Sequence, residues 1–238
     1  MYQLKVASML IMMIVSFVIS GCTAPQKTVV APEVTGKKRV IQTLAILPFE
    51  NNAVTDHESF EPLSKGLSAM LITDLNQCGT VLKIIERNKI QAILKEIILG
   101  QTGIVDKATA ISAGKILGAQ SIAFGSFIVL GNTVRIDTRI VNVETSELIM
   151  AESITGSSSA FMKLERNLAE KIAKSLNVVF MPEKVASGSD INAALYFSRG
   201  LDLLDKGDRS KAIQLFNKCI ELDPAYRLHV KNILGKTS

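Results

Sequence analysis

The chain has 238 residues, of which 47% are hydrophobic and 21% are charged, a composition typical of one or two globular domains. Aromatic residues make up only 5% and Trp is absent, which argues against sites built from exposed rings, such as base-stacking platforms. The formal net charge is +5, and the basic residues cluster at Lys37, Lys38 and Arg39. Because a nucleic-acid-binding protein carries a broader basic stripe, no nucleic-acid partner is expected.

Residues 1–21 have the pattern of a secretory signal peptide. Lys5 is the single charged residue, and it precedes an apolar run of about 15 residues, shorter than the roughly 20 that a membrane-spanning helix requires. Small residues end the run. Cleavage is therefore the favoured interpretation, and a permanent transmembrane anchor is the alternative.

The signal segment ends in a motif that resembles a bacterial lipobox, formed by Ile19, Ser20, Gly21 and Cys22. In proteins with this motif the peptidase cuts before the Cys, whose thiol carries diacylglycerol. We therefore expect Cys22 to be lipidated and to anchor the protein stably, since several acyl chains hold a protein permanently on a membrane. Thr23 follows in place of Asp, which by resemblance to sorting rules predicts the periplasmic face of the outer membrane.

Residues 22–41 show little periodicity and predict a tether, after which strands and helices alternate. Asp106 is a suitable N-cap and Gly118 a suitable C′ residue for one of the helices. The predicted elements are, in order, a strand over 44–49, a helix over 62–79, a strand over 81–85, and helices over 86–100 and 106–118.

Three further strands are predicted over 121–130, 133–143 and 148–155, with short turns between them that indicate antiparallel hairpins. A helix over 160–180 follows. The order β-α-β-α-α-β-β-β-α over residues 42–180 predicts an α/β domain with α+β character: one mixed sheet with helices packed on one side.

Residues 181–190 predict a linker, and residues 191–235 a small all-α unit. Its spacing of small and aromatic residues is typical of a tetratricopeptide repeat (TPR), in which small residues lie where two antiparallel helices touch. A single repeat is either a peptide-recognition surface or a helical cap docked on the α/β domain, and partner contact is the favoured interpretation. The predicted packing residues are Tyr196, Gly200, Leu203, Ala212, Phe216, Cys219 and Pro224.

Four segments, 67–75, 82–88, 118–126 and 139–148, resemble in order and spacing the curli assembly and transport component (CsgG) family of lipoproteins. The most specific pieces are the first helix, the strand that ends in Glu-Arg, and the Asn-Val-x-Thr-x-Glu hairpin. The resemblance implies a lipoprotein of the cell envelope that takes part in assembly or transport.

In the curli protein each subunit contributes two long membrane hairpins to an oligomeric pore. Here the first place holds only the turn Gly131-Asn132, and residues 154–160 lead straight into a helix, so the residues for such hairpins are missing. We therefore predict a non-enzymatic scaffold whose CsgG-like domain and TPR unit contact protein partners. The alternative is an oligomeric curli-type secretion component, and homo-oligomerisation stays open.

The sequence offers no combination of residues that suggests catalysis, a metal or a cofactor. His57 and His229 have no second ligand at a metal-binding spacing, and both are expected to be solvated. Cys78 and Cys219 are predicted to be buried free thiols, with a disulfide as the alternative in an oxidising compartment. No catalytic, cofactor-binding or metal-binding residue is predicted.

Overall fold

The structure, a computed structural model, describes residues 43–79, 82–98, 106–181 and 190–235. The predicted signal peptide, lipobox and tether lie outside these residues, as does most of the predicted linker. The predictions for those segments therefore stay predictions.

The centre of the fold is a six-stranded mixed sheet in the order β3-β1-β4-β5-β6, with β2 beside β4. Strand β1 runs parallel to β3 and β4, whereas β4, β5 and β6 are antiparallel. The five predicted strands are present, and β2 is an addition. The strands are β1 (Thr43–Ile46), β2 (Glu50–Asn51), β3 (Lys83–Ile84), β4 (Ser121–Leu130), β5 (Thr133–Asn142) and β6 (Leu148–Ser157).

The two hairpins have the short turns that the sequence predicts. Leu130 pairs with Thr133, so that the first turn consists of Gly131 and Asn132 alone, with Gly131 in the left-handed region at a φ of 56°. In the second turn the Asn142 side chain accepts hydrogen bonds from the two backbone N–H groups that follow Val143. Local side chains therefore set both turns.

The helices begin and end close to the predicted residues where capping groups are present. Asp106 accepts a hydrogen bond from the Thr109 backbone N–H at 2.8 Å, and Gly118 has a φ of 63°, as an N-cap and a C′ residue require. The helices are α1 (His57–Phe60), α2 (Leu63–Leu75), α3 (Arg87–Ile98), α4 (Lys107–Leu117), α5 (Phe161–Ser175), α6 (Ile191–Asp205), α7 (Arg209–Leu222) and α8 (Arg227–Gly235).

Helix α5 is shorter than the predicted span of 160–180. A 3-10 turn over Ser158–Ala160 precedes it, and Asn177, with a φ of 57°, ends it because a left-handed residue cannot continue the helical hydrogen-bond pattern. The Val178 N–H then bonds back to the Ala173 carbonyl at 2.9 Å. The residues after Asn177 therefore leave the helix.

Helices contact the sheet from both faces. Helix α5 packs on β6, where Leu164 touches Gly156, and α4 packs close to the strands where Gly114 meets Val143 and Ile122. Because successive strand residues point to opposite faces, Gly156 and Ile122 lie on different faces of the sheet. The predicted mixed α/β fold is confirmed, but the prediction that helices pack on one side only is wrong: Gly114 lets the α4 backbone approach the face opposite α5.

The C-terminal helices pack against α2 rather than standing apart from the sheet. A Cβ atom on Gly66 of α2 would lie 1.7 Å from Ser198 Oγ of α6, so that the two helix backbones are nearly in contact there. Residues Val40–Ser238 form one compact unit. Of the two interpretations of the C-terminal hairpin, the structure therefore supports a docked helical cap.

Both cysteines in the described residues are free and buried, as predicted. Burial, with the Asp74 charge adding to it, raises the pKa of the Cys78 thiol to about 11, and burial also raises the pKa of Cys219. The thiols are therefore protonated at neutral pH and unreactive. None of the helices among the described residues has the length and apolar character to cross a membrane.

Candidate functional site

A pocket of about 780 Å³ lies where the CsgG-like sheet meets the C-terminal helices. We name it the junction pocket. The end of β1, the loop with β2, and helices α1, α2, α3 and α6 all contribute to it. The residues on which its properties depend are Phe49, Lys65, Leu94, Lys95, Asp202 and Asp205.

The floor of the junction pocket is apolar and tightly held. Phe49 is fully buried, and its backbone N–H donates to the Ser64 carbonyl at 3.1 Å, while Ser64 Oγ donates to the Phe49 carbonyl. A Cβ on Gly125 would lie 2.0 Å from the Asp137 carbonyl oxygen and 3.0 Å from the Phe49 ring, so that the strand needs a glycine there. The floor is therefore rigid.

One wall of the pocket is a loop that the sequence predicted as irregular and that the structure shows to be internally bonded. The Asn51 side-chain amide donates to the His57 carbonyl at 2.8 Å and to Glu61 Oε2 at 3.1 Å. His57 Nε2 lies 3.1 Å from the Asn51 carbonyl. These bonds fix α1 against β2 and hold the wall in one conformation.

The opposite wall is a charge network that joins α6 to α2 and α3. Arg87 makes two hydrogen bonds to the Asp205 carboxylate, at 2.9 and 3.1 Å, and Gln91 donates to the same group at 2.7 Å. Lys65 lies 2.7 Å from Asp202. Paired contacts of this kind between Arg and carboxylate fix orientation as well as charge.

Electrostatics favour the ionised form of Asp205. Partial burial raises the pKa of its carboxyl, but the hydrogen bonds and charge of Arg87, followed by Gln91 and Lys65, outweigh burial and lower this pKa overall. Asp205 is therefore a structural anion at neutral pH, and its chemistry is that of an ion-pair partner.

A second surface lies at the other end of the sheet. Strand β6 pairs with β5 along one side, and within the described residues no strand pairs with its other edge. The adjoining β5 face carries the exposed pair Arg135 and Asp137, whose atoms approach to 2.8 Å. Leu130 and Leu148, at the ends of β4 and β6, are more than half exposed.

The structure brings the predicted TPR residues together in one hairpin, but away from the junction pocket. Gly200 lies against the Phe216 ring, where a Cβ atom would be 2.5 Å from Cε1. Ala212 and Cys219 are fully buried beside it, Tyr196 and Leu203 are partly buried, and Pro224 begins a 3-10 turn. Assignment of this hairpin to the TPR class stays a prediction, and so do the roles of Ile19, Ser20, Gly21 and Cys22, which lie outside the described residues.

The prediction that His229 is solvated is wrong. Its side chain is fully buried, with the rings of Tyr226 and Phe197 at 5.6 and 6.1 Å. The reason is that α8 packs onto α2, a contact between distant parts of the chain that the sequence pattern does not reveal.

Sequence reasoning also missed the charge network. Arg87 belongs to the Glu-Arg motif of the family resemblance, but the motif does not indicate its partner. Asp202 and Asp205 are three residues apart and so share one face of α6, which was a usable signal. The sequence does not show which helix that face meets.

Residues 29–135 match the family model described as curli production assembly/transport component CsgG. This segment, a little under half of the chain, is similar to the CsgG family. It includes strands β1 to β4 and helices α1 to α4, which contribute the floor and most of the lining of the junction pocket. Helix α6, which completes the pocket, lies beyond the match. Segment 139–148, one of the four segments whose sequence resembles the CsgG family, also lies beyond the match.

Among curated proteins, the chain is similar to the uncharacterized protein MJ0572 of Methanocaldococcus jannaschii, with 49% identity over 35 residues. That alignment covers 15% of this chain and 41% of the other. The chain therefore spans less than half the length of this relative.

Solved structures with similar folds include three bacterial proteins. Lipoprotein GNA1162 from Neisseria meningitidis is 16% identical, over 56% of this chain and 98% of that chain, with a TM-score of 0.42. TolB from Acinetobacter baumannii is 16% identical, over 57% and 28%, with a TM-score of 0.39. The PelC dodecamer from Paraburkholderia phytofirmans is 14% identical, over 57% and 87%, with a TM-score of 0.37. Likenesses at this level carry no inference about function.

Proposed function

We propose that this protein is a lipid-anchored scaffold of the bacterial cell envelope that holds a segment of a partner protein in the junction pocket. The observation that carries the proposal is the composition of that pocket: an apolar floor at Phe49 and Leu94, with charged side chains around it. Pockets with an apolar centre and a few fixed polar groups are typical binding sites. The family name, curli production assembly/transport, supports a role in assembly or transport.

Anchoring is proposed through Cys22 on the periplasmic face of the outer membrane. The lipobox-like residues before Cys22 support lipidation, and the predicted tether separates the folded part from the membrane surface. About twenty residues, fully extended at roughly 3.3 Å each, span at most about 65 Å. The protein can therefore meet partners well away from the membrane surface.

The proposed action is positioning and not chemistry. Two groups in the junction pocket that resemble catalytic ones have structural partners: Ser64 Oγ donates to a carbonyl, and Asp205 is bonded to Arg87. A general base needs a lone pair within reach of the substrate, and an ion-paired carboxylate is a poor one. The pocket is therefore suited to binding an apolar side chain flanked by charged residues.

The first experiment tests anchoring and contact separately. Cys22→Ala should move the protein from the membrane fraction to the soluble periplasmic fraction, and continued membrane pelleting after a high-salt wash would contradict lipid anchoring. For contact, a photocrosslinking residue replaces Lys95, which lines the pocket and is exposed. The matched control carries it at Lys163, which is exposed on α5.

We expect one specific adduct at position 95 and none at position 163. The partner, once identified by mass spectrometry, should bind the purified protein, and Lys95→Glu should weaken that binding. Equal crosslinking at both positions would refute the pocket as the contact site.

The alternative function, an oligomeric curli-type secretion component, has one observation in its favour. In the part of the chain that the structure describes, no strand pairs with the outer edge of β6, a ten-residue strand, and an edge of this kind can pair with another chain. Light scattering on the detergent-extracted, acylated protein distinguishes the two functions when bilayer conductance is recorded on the same sample. A monomer or dimer without conductance supports the scaffold, whereas a large conducting ring supports secretion.

A further inference from the structure

Three buried polar side chains from three different helices meet beneath α8, in a place separate from the junction pocket. Asp74 comes from α2, Glu165 from α5 and His229 from α8, and all three have no exposed surface. One carboxylate oxygen of each acid and one ring nitrogen of the histidine lie within 4.8 Å of one another. A site of this composition among apolar side chains requires an explanation, because buried acids are costly.

The geometry is that of groups directed at a common point. His229 Nε2 lies 3.1 Å from Asp74 Oδ1, but the two atoms are not aligned as a hydrogen bond, and His229 Nδ1 has no hydrogen-bond partner either. Among the described residues no N–H group donates to either oxygen of Glu165, whose side-chain partner is the Asp74 carboxyl. In a tetrahedral zinc site with bonds of about 2.0–2.1 Å, two ligand atoms are about 3.3 Å apart. The observed separation fits such a pair of ligands.

The charges also favour a cation. A divalent ion with two carboxylates and a neutral imidazole is electrically neutral. Arg166 Nε lies 3.4 Å from Asp74 Oδ2, the oxygen that does not face His229, where it can orient the carboxylate from outside the ligand set.

We propose that Asp74, Glu165 and His229 bind a divalent cation of the zinc class, with water as the fourth ligand. Imidazole and carboxylate together suit zinc and its neighbours in the first transition row, whereas calcium and magnesium prefer oxygen alone. The ligands come from α2, α5 and α8, so the ion joins the C-terminal helix to the CsgG-like part.

The test uses the full-length acylated protein in detergent, stripped with EDTA and then given Zn²⁺. We expect bound zinc close to one equivalent by mass spectrometry. At a zinc concentration about 100 times its Kd, we expect the Tm to rise by about 5–10 °C. Co²⁺ should give the visible absorption bands of a tetrahedral site. A Tm and a Co²⁺ spectrum that do not respond to metal would overturn the proposal.

Glu165→Gln is the decisive variant, because Gln has the shape of the protonated acid and so preserves the fold. It should lose the zinc-induced rise in Tm, and His229→Gln should lose it as well. Glu152→Gln removes a carboxylate from an exposed ion pair with Lys171 and is the matched control, which should keep the full rise. If Glu165→Gln binds zinc as wild type does, these residues are not the ligands and the assignment is wrong.

Discussion

Gly66 is the position where the structure makes its most quantitative prediction about stability. In Gly66→Ala the new methyl carbon would lie 1.7 Å from Ser198 Oγ, 2.7 Å from Ser198 Cβ and 3.3 Å from its Cα. Rotation of the serine side chain relieves only the first of these contacts. Helices α2 and α6 must therefore move apart by roughly 1 Å to restore ordinary contact distances of about 3.5–4.0 Å.

The expected cost is the difference of two effects. Overpacking of a filled interface costs up to about 3 kcal/mol, whereas Ala is about 1 kcal/mol better than Gly inside a helix. The free energy of unfolding should therefore fall by about 2 kcal/mol. For a chain of this size the Tm should fall by about 4–8 °C, measured by circular dichroism on the full-length protein in detergent.

Two further variants make this test specific. Gly235→Ala is the matched control, since a Cβ at Gly235 meets nothing within 4 Å, and its Tm should match that of wild type. Ser198→Gly in combination with Gly66→Ala removes both side-chain contacts and should recover most of the lost stability, which a double-mutant cycle measures. If Gly66→Ala is as stable as wild type, the close approach of α2 and α6 is not real.

Two other predictions concern the charge network and the thiols. Asp205→Asn should lower the free energy of unfolding by about 1–3 kcal/mol, because Arg87 is largely buried, whereas Asp137→Asn in the exposed Arg135 pair should cost less than about 1 kcal/mol. The pKa of Asp205 is lower in the folded protein than in the unfolded chain, so its contribution to stability is present above about pH 4 and is lost as the pH falls through the folded-state pKa. In an acid titration, the free energy of unfolding of Asp205→Asn should therefore fall less than that of wild type. Cys78 and Cys219 should react with a thiol reagent only at the rate of unfolding, and fast labelling of the native protein would contradict their burial.

The strands of the hairpins and the caps of α4 were predictable because their signals are local. Strand β4 spans the predicted residues, and Asp106 and Gly118 cap the helix as their types suggest. Strand β2 was not predictable, because two residues show no periodicity. The second buried face of α2 was missed for a different reason: the polar residue Asp74 lies there against His229 of α8, and a sequence pattern marks such a residue as exposed.

The candidate sites also divide into those with a local sequence signal and those formed by residues that are distant in the chain. The lipobox-like motif is contiguous in sequence, so that it could be predicted directly, and it stays a prediction because it lies outside the described residues. The junction pocket and the buried acids are formed by residues that come together only when α6 and α8 pack on α2. His229 shows the limit most clearly, since a lone histidine near the end of a chain has no local feature that indicates a buried partner.

The burial of α2 between the sheet and the C-terminal helices has a consequence for the order of folding. Synthesis delivers α2 before the helices that cover its outer face, so that face stays exposed to water until those helices have been made. Thr73 and Asp74 on α2 lie close to α8 and are buried in the finished protein, and their polarity reduces the apolar surface that α2 exposes before α8 is made. The same residues that seem misplaced in the core therefore lower the risk of aggregation while the chain is still incomplete.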